Sequence, residues 1–224
     1  WGVPELKDNI ADSNAMTVDR LNAAGVNLFG KTNVPLLLAD WQSYNDIYGI
    51  TNNPWNLELS PGGSSGGSAA ALASGMTGLD AGSDIGSSIR NPAHFCGVFG
   101  HKPSYGVVTP RGHAMPGALT YADISVIGPL SRTAQDLRIA LDVMAGPDET
   151  DGPGWKLNLP SATKTRLADF KVAVILSESN SAVDREMTDV LQALVDKLAA
   201  AGVTVDDAAR PEIDFYRAHE LYVL

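Results

Sequence analysis

The clearest periodicity in the chain lies over residues 183–201, where apolar residues recur at spacings of three and four. This spacing predicts an amphipathic helix, and Gly202 directly after it is typical of a helix C-terminus. The apolar run KVAVIL at 171–176 predicts a buried parallel strand before the helix, and VTV at 203–205 predicts a second strand after it. A strand–helix–strand unit of this kind indicates the α/β class.

The first part of the chain repeats this order with shorter elements. Residues 17–24 predict a helix that ends at Gly25, and residues 26–30 predict a strand. Residues 69–73, rich in alanine, predict a further helix that directly follows a pair of glycines. The segment 146–166 is rich in glycine, proline and threonine and predicts an exposed loop.

Composition narrows the function classes. The 224 residues are 44% hydrophobic and 19% charged, as in ordinary globular proteins. A net charge of −10 disfavours binding to nucleic acid or to an anionic membrane. The single cysteine excludes an internal disulfide and suits a reducing compartment, and no apolar run reaches the ~18 residues of a spanning helix. We therefore expect a cytoplasmic protein with no nucleic acid partner and no membrane association.

The stretch 60–92 is dominated by glycine, serine and alanine, a composition that usually marks a linker. Here it feeds a predicted helix, which indicates closely packed backbone with amides directed at a ligand. A phosphate-binding loop would need a lysine after its last glycine, whereas Ser68 and Ala69 stand there. A phosphate loop is therefore rejected.

Residues 62–66 also match G-x-S-x-G, the nucleophile elbow of α/β-hydrolases. That elbow follows a buried strand, but prolines stand at 54 and 61, and no histidine lies in a convincing setting for a base. We interpret His94, His101 and His113 as structural or pocket-lining residues, too irregularly spaced for a metal site. An esterase that uses Ser64 as its nucleophile stays an alternative, and a serine nucleophile with a lysine base is favoured.

Seven short motifs occur in a fixed order over roughly residues 1 to 150. They are GVPELKDN (2–9), GKTN (30–33), TNNPWN (51–56), PGGSSGGSAA (61–70), GSDIGSSIRNP (82–92), GHKPSYG (100–106) and GPLSRTAQDL (128–137). Together they resemble the amidase signature family of serine hydrolases. The resemblance implies an α/β/α sandwich around a central mixed β-sheet, of which this chain looks like the N-terminal part. It further implies one incomplete domain over 1–224, with the signature core in about 1–150 and a further helix–strand layer in 169–224.

The resemblance also implies a Ser–cis-Ser–Lys triad. Ser88 falls on the nucleophile, and Ser64, preceded by a cis peptide bond from Gly63, falls on the bridging serine. Lys7 falls on the base, which must be buried and neutral to accept a proton through Ser64. Ser87 adjoins the nucleophile position, and the register to the following arginine and proline favours Ser88.

The same resemblance assigns the surrounding groups. The backbone amides of residues 85–88 (Ile85, Gly86, Ser87 and Ser88) form the expected oxyanion hole. Ser65 is an expected supporting hydroxyl, and Asp84 and Arg90 are expected to brace the turn as a buried pair. Cys96, which stands among aromatic residues, is predicted to be a core thiol.

The expected activity is hydrolysis of a carboxylic amide to an acid and ammonia or an amine through a serine acyl-enzyme, without metal or organic cofactor. The expected partner is a small-molecule amide, and a homodimer is the favoured assembly. The alternative within the family is the glutaminase subunit of a tRNA-dependent amidotransferase, which the segment 107–127 disfavours because that subunit type usually carries a different stretch there. The alternative from another class is a non-catalytic binding protein that keeps the fold.

Overall fold

The computed structural model describes residues 1–115, 117–118, 120–178 and 180–223. The chain divides into two compact units, Trp1–Asn158 and Leu159–Leu224. The single domain expected over 1–224 stays a prediction. The helices are α1 (Met16–Ala23), α2 (Gly66–Ala73), α3 (Arg90–Cys96), α4 (Ala134–Met144), α5 (Arg185–Ala200) and α6 (Phe215–Val223). Short 3₁₀ helices span Pro4–Leu6, Leu36–Leu38 and Leu167–Asp169.

The first unit is built on a three-stranded antiparallel sheet. Its strands are β3 (Leu79–Asp84), β4 (Phe99–Gly100) and β5 (Val126–Ser131), and β5 pairs with both of the others. A separate two-stranded hairpin consists of β1 (Tyr44–Asn45) and β2 (Gly49–Ile50). Every residue of the central strand β5 is buried, because the strand is covered on both faces.

Two apolar clusters hold the first unit together. One joins α2 and α3 to β5 through residues that share nearly complete burial, namely Ala69, Leu72, Ile89, Ala93, Cys96 and Leu130. The other joins α4 to β5 through Val108, Ile127, Ala140 and Met144. Ala69, Leu72 and Ile89 of the first cluster belong to the Gly/Ser-rich segment 60–92 itself, so the burial of these side chains anchors that segment near both of its ends.

The second unit contains the predicted βαβ arrangement. Strands β6 (Lys171–Ala173) and β7 (Thr204–Asp206) pair in parallel, and α5 lies between them in the chain. The carboxylate of Asp184 caps α5 by accepting a hydrogen bond from the Met187 amide at 2.8 Å. Strand β6 is shorter and more exposed than the buried strand predicted over 171–176, because in the described part of this unit it pairs only with β7 and both strands are edges; β7 has the predicted length, shifted by one residue.

Three predictions of local structure have clear outcomes. The helices near residues 17–24, 69–73 and 183–201 are confirmed as α1, α2 and α5. The strand predicted over 26–30 is wrong, because these exposed residues pair with no strand in the described part of the chain. The segment 146–166 contains no helix or strand among its residues, as predicted, but the prediction of exposure is wrong at its start, where Gly146 and Asp148 are buried.

Candidate active site

The loop before α2 holds Ser64 in a fixed and buried position. The Gly63–Ser64 peptide bond is cis, as the resemblance implied, and Ser64 is only 2% exposed. Ser43 braces this loop with one hydroxyl, which donates to the carbonyl of Gly62 at 3.2 Å and accepts from the amide of Gly66 at 3.1 Å. Because Ser43 is itself buried, these hydrogen bonds are shielded from water.

Two hydrogen bonds join this loop to the turn that carries Ser88. The amide of Ser65 donates to the carbonyl of Ser88 at 3.1 Å. The amide of Gly63 donates to the side-chain oxygen of Asn91 at 3.1 Å. The structure therefore brings the segments of Ser64 and Ser88 together, although they lie on different elements of the chain.

Asp84, at the end of β3, organises the turn. Its carboxylate accepts the backbone amides of Ser87 at 2.9 Å, Ile89 at 3.0 Å and Arg90 at 3.3 Å. It also accepts two hydrogen bonds from the Arg90 guanidinium, at 3.0 and 2.8 Å. This two-pronged ion pair is the brace that the sequence analysis predicts, and it ties both ends of the turn to the buried Asp84, but the expectation of a buried pair is wrong for Arg90, whose side chain is half exposed.

The electrostatics of Asp84 follow from these contacts. Its side chain is fully buried, while that of Arg90 is 50% exposed. Burial alone would raise the pKa of Asp84, but the hydrogen bonds from Arg90 and from the backbone amides, with the Arg90 charge, outweigh it and lower the pKa. Asp84 is therefore ionised at neutral pH and acts as a fixed acceptor for the turn.

The Asp84 carboxylate decides which amides of the turn are free. Among the described residues, the amides of Ile85, Gly86 and Ser88 have no hydrogen-bond partner. The amide of Ser87 is engaged by Asp84, which differs from the expectation that all four amides point at an oxyanion. The reason is local, since the N–H of Ser87 is already hydrogen-bonded to the carboxylate of Asp84, and Ser87 is held in a left-handed conformation with φ 85°.

Lys7 is exposed, which corrects the expectation of a buried base. It directly follows the 3₁₀ helix Pro4–Leu6, and residues 8–14 beyond it are exposed as well. No hydrogen bond links the side chains of Lys7, Ser64 and Ser88 to one another within the described residues. The physical reason is that no described segment packs over the end of this short helix, so nothing removes the ammonium group from water.

A second carboxylate lies on β3 with the opposite electrostatics. Asp80 is half-buried, and its desolvation raises the pKa to about 6, against the smaller opposing effects of hydrogen bonds from the Ala81 amide and Ser68. The Ser68 hydroxyl lies 2.9 Å from that of Thr32. Asp80, Ser68 and Thr32 thus form a polar chain beside α2, which the sequence analysis did not single out.

The remaining predicted groups have simple positions. Cys96 is 0% exposed in the α2–α3 cluster, and burial raises the pKa of its thiol to about 11, so the prediction of a core thiol is confirmed. Ser65 is buried and packs closely against Gly82 of β3. His94 and His101 are exposed. Over the described ranges, no cluster of three His, Cys, Asp or Glu side chains could hold a metal ion.

Three residues of the site escaped the sequence analysis. Ser43 and Asn91 brace the Ser64 loop, and the indole N–H of Trp41 donates to the carbonyl of Gly86 at 2.7 Å. Asn91 lies inside a recognised motif, so its place beside Arg90 was a usable signal. Ser43 and Trp41 lie in 34–50, a segment without motif or clear periodicity, and their contacts span 19 to 45 residues.

The fold and the site define a class before any particular relative is considered: an α/β protein with a buried serine loop, a Ser-rich turn and free backbone amides. The family model described as Amidase matches residues 1–223. The chain therefore belongs to the amidase family, and its resemblance to the amidase signature enzymes is confirmed.

Known proteins from this family are similar over most of the chain. The A subunit of glutamyl-tRNA(Gln) amidotransferase from Sulfolobus acidocaldarius is 39% identical over 207 residues, covering 90% of this chain and 42% of that protein. The solved structure of a fatty acid amide hydrolase matches with a TM-score of 0.81 and 29% identity over 92% of this chain and 37% of that one. The corresponding amidotransferase protein of Thermotoga maritima matches with a TM-score of 0.78 and 30% identity over 90% of this chain and 44% of that one.

These matches confirm the α/β fold class and support amide hydrolysis in general. The chain spans less than half the length of each of these relatives. The prediction of a small-molecule amide substrate with no nucleic acid partner is wrong, because the similar curated proteins are named as subunits of an amidotransferase for glutamyl-tRNA(Gln). That prediction rested on the acidic net charge, and the net charge of a whole chain does not describe the charge of a local binding surface. No helix in the described part of the chain is long and apolar enough to cross a membrane.

Proposed function

We propose that the protein cleaves a carboxylic amide through an acyl-enzyme on Ser88. The Ser88 hydroxyl adds to the amide carbonyl and passes its proton through the hydroxyl of Ser64 to Lys7. The tetrahedral intermediate then expels ammonia or an amine, which takes up the proton returned by Ser64. Water, deprotonated through the same relay, attacks the ester on Ser88 and releases the acid.

The turn geometry is the observation that carries this proposal. The carboxylate of Asp84 occupies the amides of Ser87, Ile89 and Arg90 and leaves those of Ile85, Gly86 and Ser88 without a partner among the described residues. Unpaired amides next to a serine hydroxyl suit the developing charge of an oxyanion. The loss of one such donor typically costs about 10²–10³ in rate.

Lys7 becomes a base in this proposal only when its ammonium group is covered. A base must accept a proton, so the proposed role requires the neutral amine. Bound substrate, a partner subunit or further polypeptide can supply the cover, since each removes water and favours the neutral amine. Lys7→Met therefore lowers the rate of acylation in the assembled enzyme and leaves the fold of the first unit intact.

The second candidate function specifies the amide and is better supported by the comparisons than a free-standing amidase. The similar curated proteins are named as the A subunit of glutamyl-tRNA(Gln) amidotransferase and are 34–39% identical to this chain. On this proposal the cleaved amide is that of glutamine, and the ammonia serves amidation of a glutamate held on tRNA. Glutamine hydrolysis that requires partner subunits and rises with glutamyl-tRNA(Gln) supports it, whereas partner-independent turnover of simple amides favours the free-standing amidase.

A fluorophosphonate probe tests the nucleophile directly. Wild-type protein and Ser74→Ala, a change at the exposed end of α2, are expected to be labelled equally. Ser88→Ala is expected to abolish labelling. Labelling that persists in Ser88→Ala but disappears in Ser64→Ala would support the esterase alternative. No labelling and no amide turnover in the wild type, both alone and with partner subunits, would support a non-catalytic binding protein.

A further inference from the structure

Trp41 makes an unusual contact with the Ser88 turn. Its indole N–H donates to the carbonyl of Gly86 at 2.7 Å, across 45 residues of sequence, while its side chain remains largely in solvent. Trp41 is 60% exposed, so hydrophobic burial explains little of its placement. The hydrogen bond to the turn is the specific feature of this residue.

The bonded carbonyl belongs to the peptide unit between Gly86 and Ser87. The N–H of the same unit is the amide of Ser87, which donates to Asp84 at 2.9 Å. Trp41 and Asp84 therefore hold one peptide plane from opposite ends. The two adjoining amides, of Gly86 and Ser88, are among those without a partner in the described chain, and the orientation of this plane sets their directions.

Ser87 adds a reason why this plane needs an external restraint. Its φ of 85° lies in the left-handed region, which a serine adopts at a conformational cost. Without a restraint on the Gly86 carbonyl, rotation of the peptide unit relieves this cost and turns the neighbouring amides away. Oxyanion donors lower the barrier only when they are held in place before the charge develops.

We propose that Trp41 is a positioning residue of the oxyanion turn, acting through its hydrogen bond to Gly86 and touching no reacting atom. The inference rests on the proposed function, since it assigns Trp41 to the same turn. It applies to any acyl group, because the oxyanion is common to all amide substrates.

Trp55 offers a matched control. Its indole N–H also donates to a backbone carbonyl at 2.7 Å, that of Cys96 at the end of α3, and it is 75% exposed. The replacements Trp41→Phe and Trp55→Phe each remove one such hydrogen bond and keep an aromatic ring. Their effects on stability should therefore be similar, and only a positioning role separates their effects on the reaction.

The test compares the two variants with wild-type protein in amide turnover and in fluorophosphonate labelling. Trp41→Phe is expected to lower kcat and the labelling rate about tenfold with KM nearly unchanged, less than the loss of a whole donor. Trp55→Phe is expected to stay within about twofold of wild type. Equal rates in both variants, with wild type active, would overturn the role of Trp41 alone. A wild type that is inactive and unlabelled both alone and with partner subunits would overturn the proposed function and this inference with it.

Hydrogen exchange gives a readout that is independent of activity. Peptides covering 84–90 are expected to exchange faster in Trp41→Phe, because the Ser87 amide loses the restraint on its own peptide unit. The same peptides should exchange at the wild-type rate in Trp55→Phe. Unchanged protection of 84–90 in Trp41→Phe would contradict the restraint itself.

Discussion

Asp84 and Asp80 lie on the same face of β3, four residues apart, and neutralising each should shift stability in opposite directions. In Asp84→Asn, one carboxylate oxygen becomes an NH₂ group. One oxygen accepts from Ser87 and the Arg90 side chain, and the other accepts from Ile89 and twice from Arg90. In either orientation of the new amide, its NH₂ group therefore faces at least two N–H donors and cannot accept their hydrogen bonds.

The magnitude follows from those lost contacts. A hydrogen bond to a charged group contributes about 1.5–3 kcal/mol, and the bonds from Arg90 lie at the lower end because its side chain is half exposed. We expect Asp84→Asn to lower the free energy of unfolding by about 3 kcal/mol at pH 7. Since the pKa of Asp84 is lowered in the folded protein, this stabilisation is present above the usual pKa of 3.8 and is lost as pH falls through the folded value.

The carboxylate of Asp80 has the opposite effect on the stability of the folded protein. Its pKa is raised from 3.8 to about 6 by desolvation, so its carboxylate destabilises the folded state at neutral pH. Each unit of such a shift corresponds to about 1.4 kcal/mol, and Asp80→Asn should raise the free energy of unfolding at pH 7 by up to about 3 kcal/mol. In the wild type, this destabilisation is absent below pH 3.8, where Asp80 is protonated in the folded and unfolded states, and it reaches its full size once the pH has risen through about 6.

Urea unfolding from pH 3.5 to 8, followed by tryptophan fluorescence, measures both variants. The four tryptophans, at 1, 41, 55 and 155, all lie in the first unit, so the signal reports the unit that contains both carboxylates. The gain from Asp80→Asn should vanish towards pH 4, while the loss from Asp84→Asn should shrink only at the acid limit. Shifts of the same sign at pH 7, or a pH-independent effect of Asp80→Asn, would refute the reasoning.

Two further predictions concern packing. Gly67→Ala should destabilise the first unit by about 3 kcal/mol or more, because the new Cβ would lie 2.4 Å from the backbone oxygen of Asn33. The control Gly78→Ala places its Cβ with no atom within 4 Å and should change stability by less than about 0.5 kcal/mol. Urea unfolding measures both variants, and similar losses of stability would contradict the packing argument. The Cys96 thiol, buried and with its pKa raised to about 11, should resist iodoacetamide at pH 8 until the protein is unfolded in urea, and rapid alkylation of folded protein would contradict its burial.

The sequence predicts the elements whose signals are local. The apolar spacing in 183–201 and the alanine-rich residues 69–73 specify helices with little help from the rest of the chain. The strand predicted over 26–30 failed because a strand needs a partner, and no local pattern states whether one exists. In α5, Met187 and Leu191 are half-buried whereas Val190 and Leu194 are exposed, so periodicity predicts a helix without stating how much of its apolar face is covered.

In the candidate site too, the sequence predicts the local contacts and misses those that depend on distant parts of the chain. The motifs identified Asp84 and Arg90, whose contact spans six residues within one turn. They could not reveal that the Ser87 amide is taken by Asp84, because that depends on the path of the backbone after β3. Lys7 has the right neighbours in sequence, yet its burial depends on chain that must pack over it, which sequence order does not report.

A segment made of glycine and serine can be rigid because its restraints come from outside it. Small side chains let Gly63 and Gly67 approach other backbone closely, but they supply few contacts of their own. The loop is held instead by Ser43 and Asn91, and the turn by Trp41. Under the proposed function, the positions of the free amides in the Ser88 turn should therefore be sensitive to changes at these side chains. Two of them, Ser43 and Trp41, lie outside every motif, so their replacement should loosen the turn with all motif residues in place.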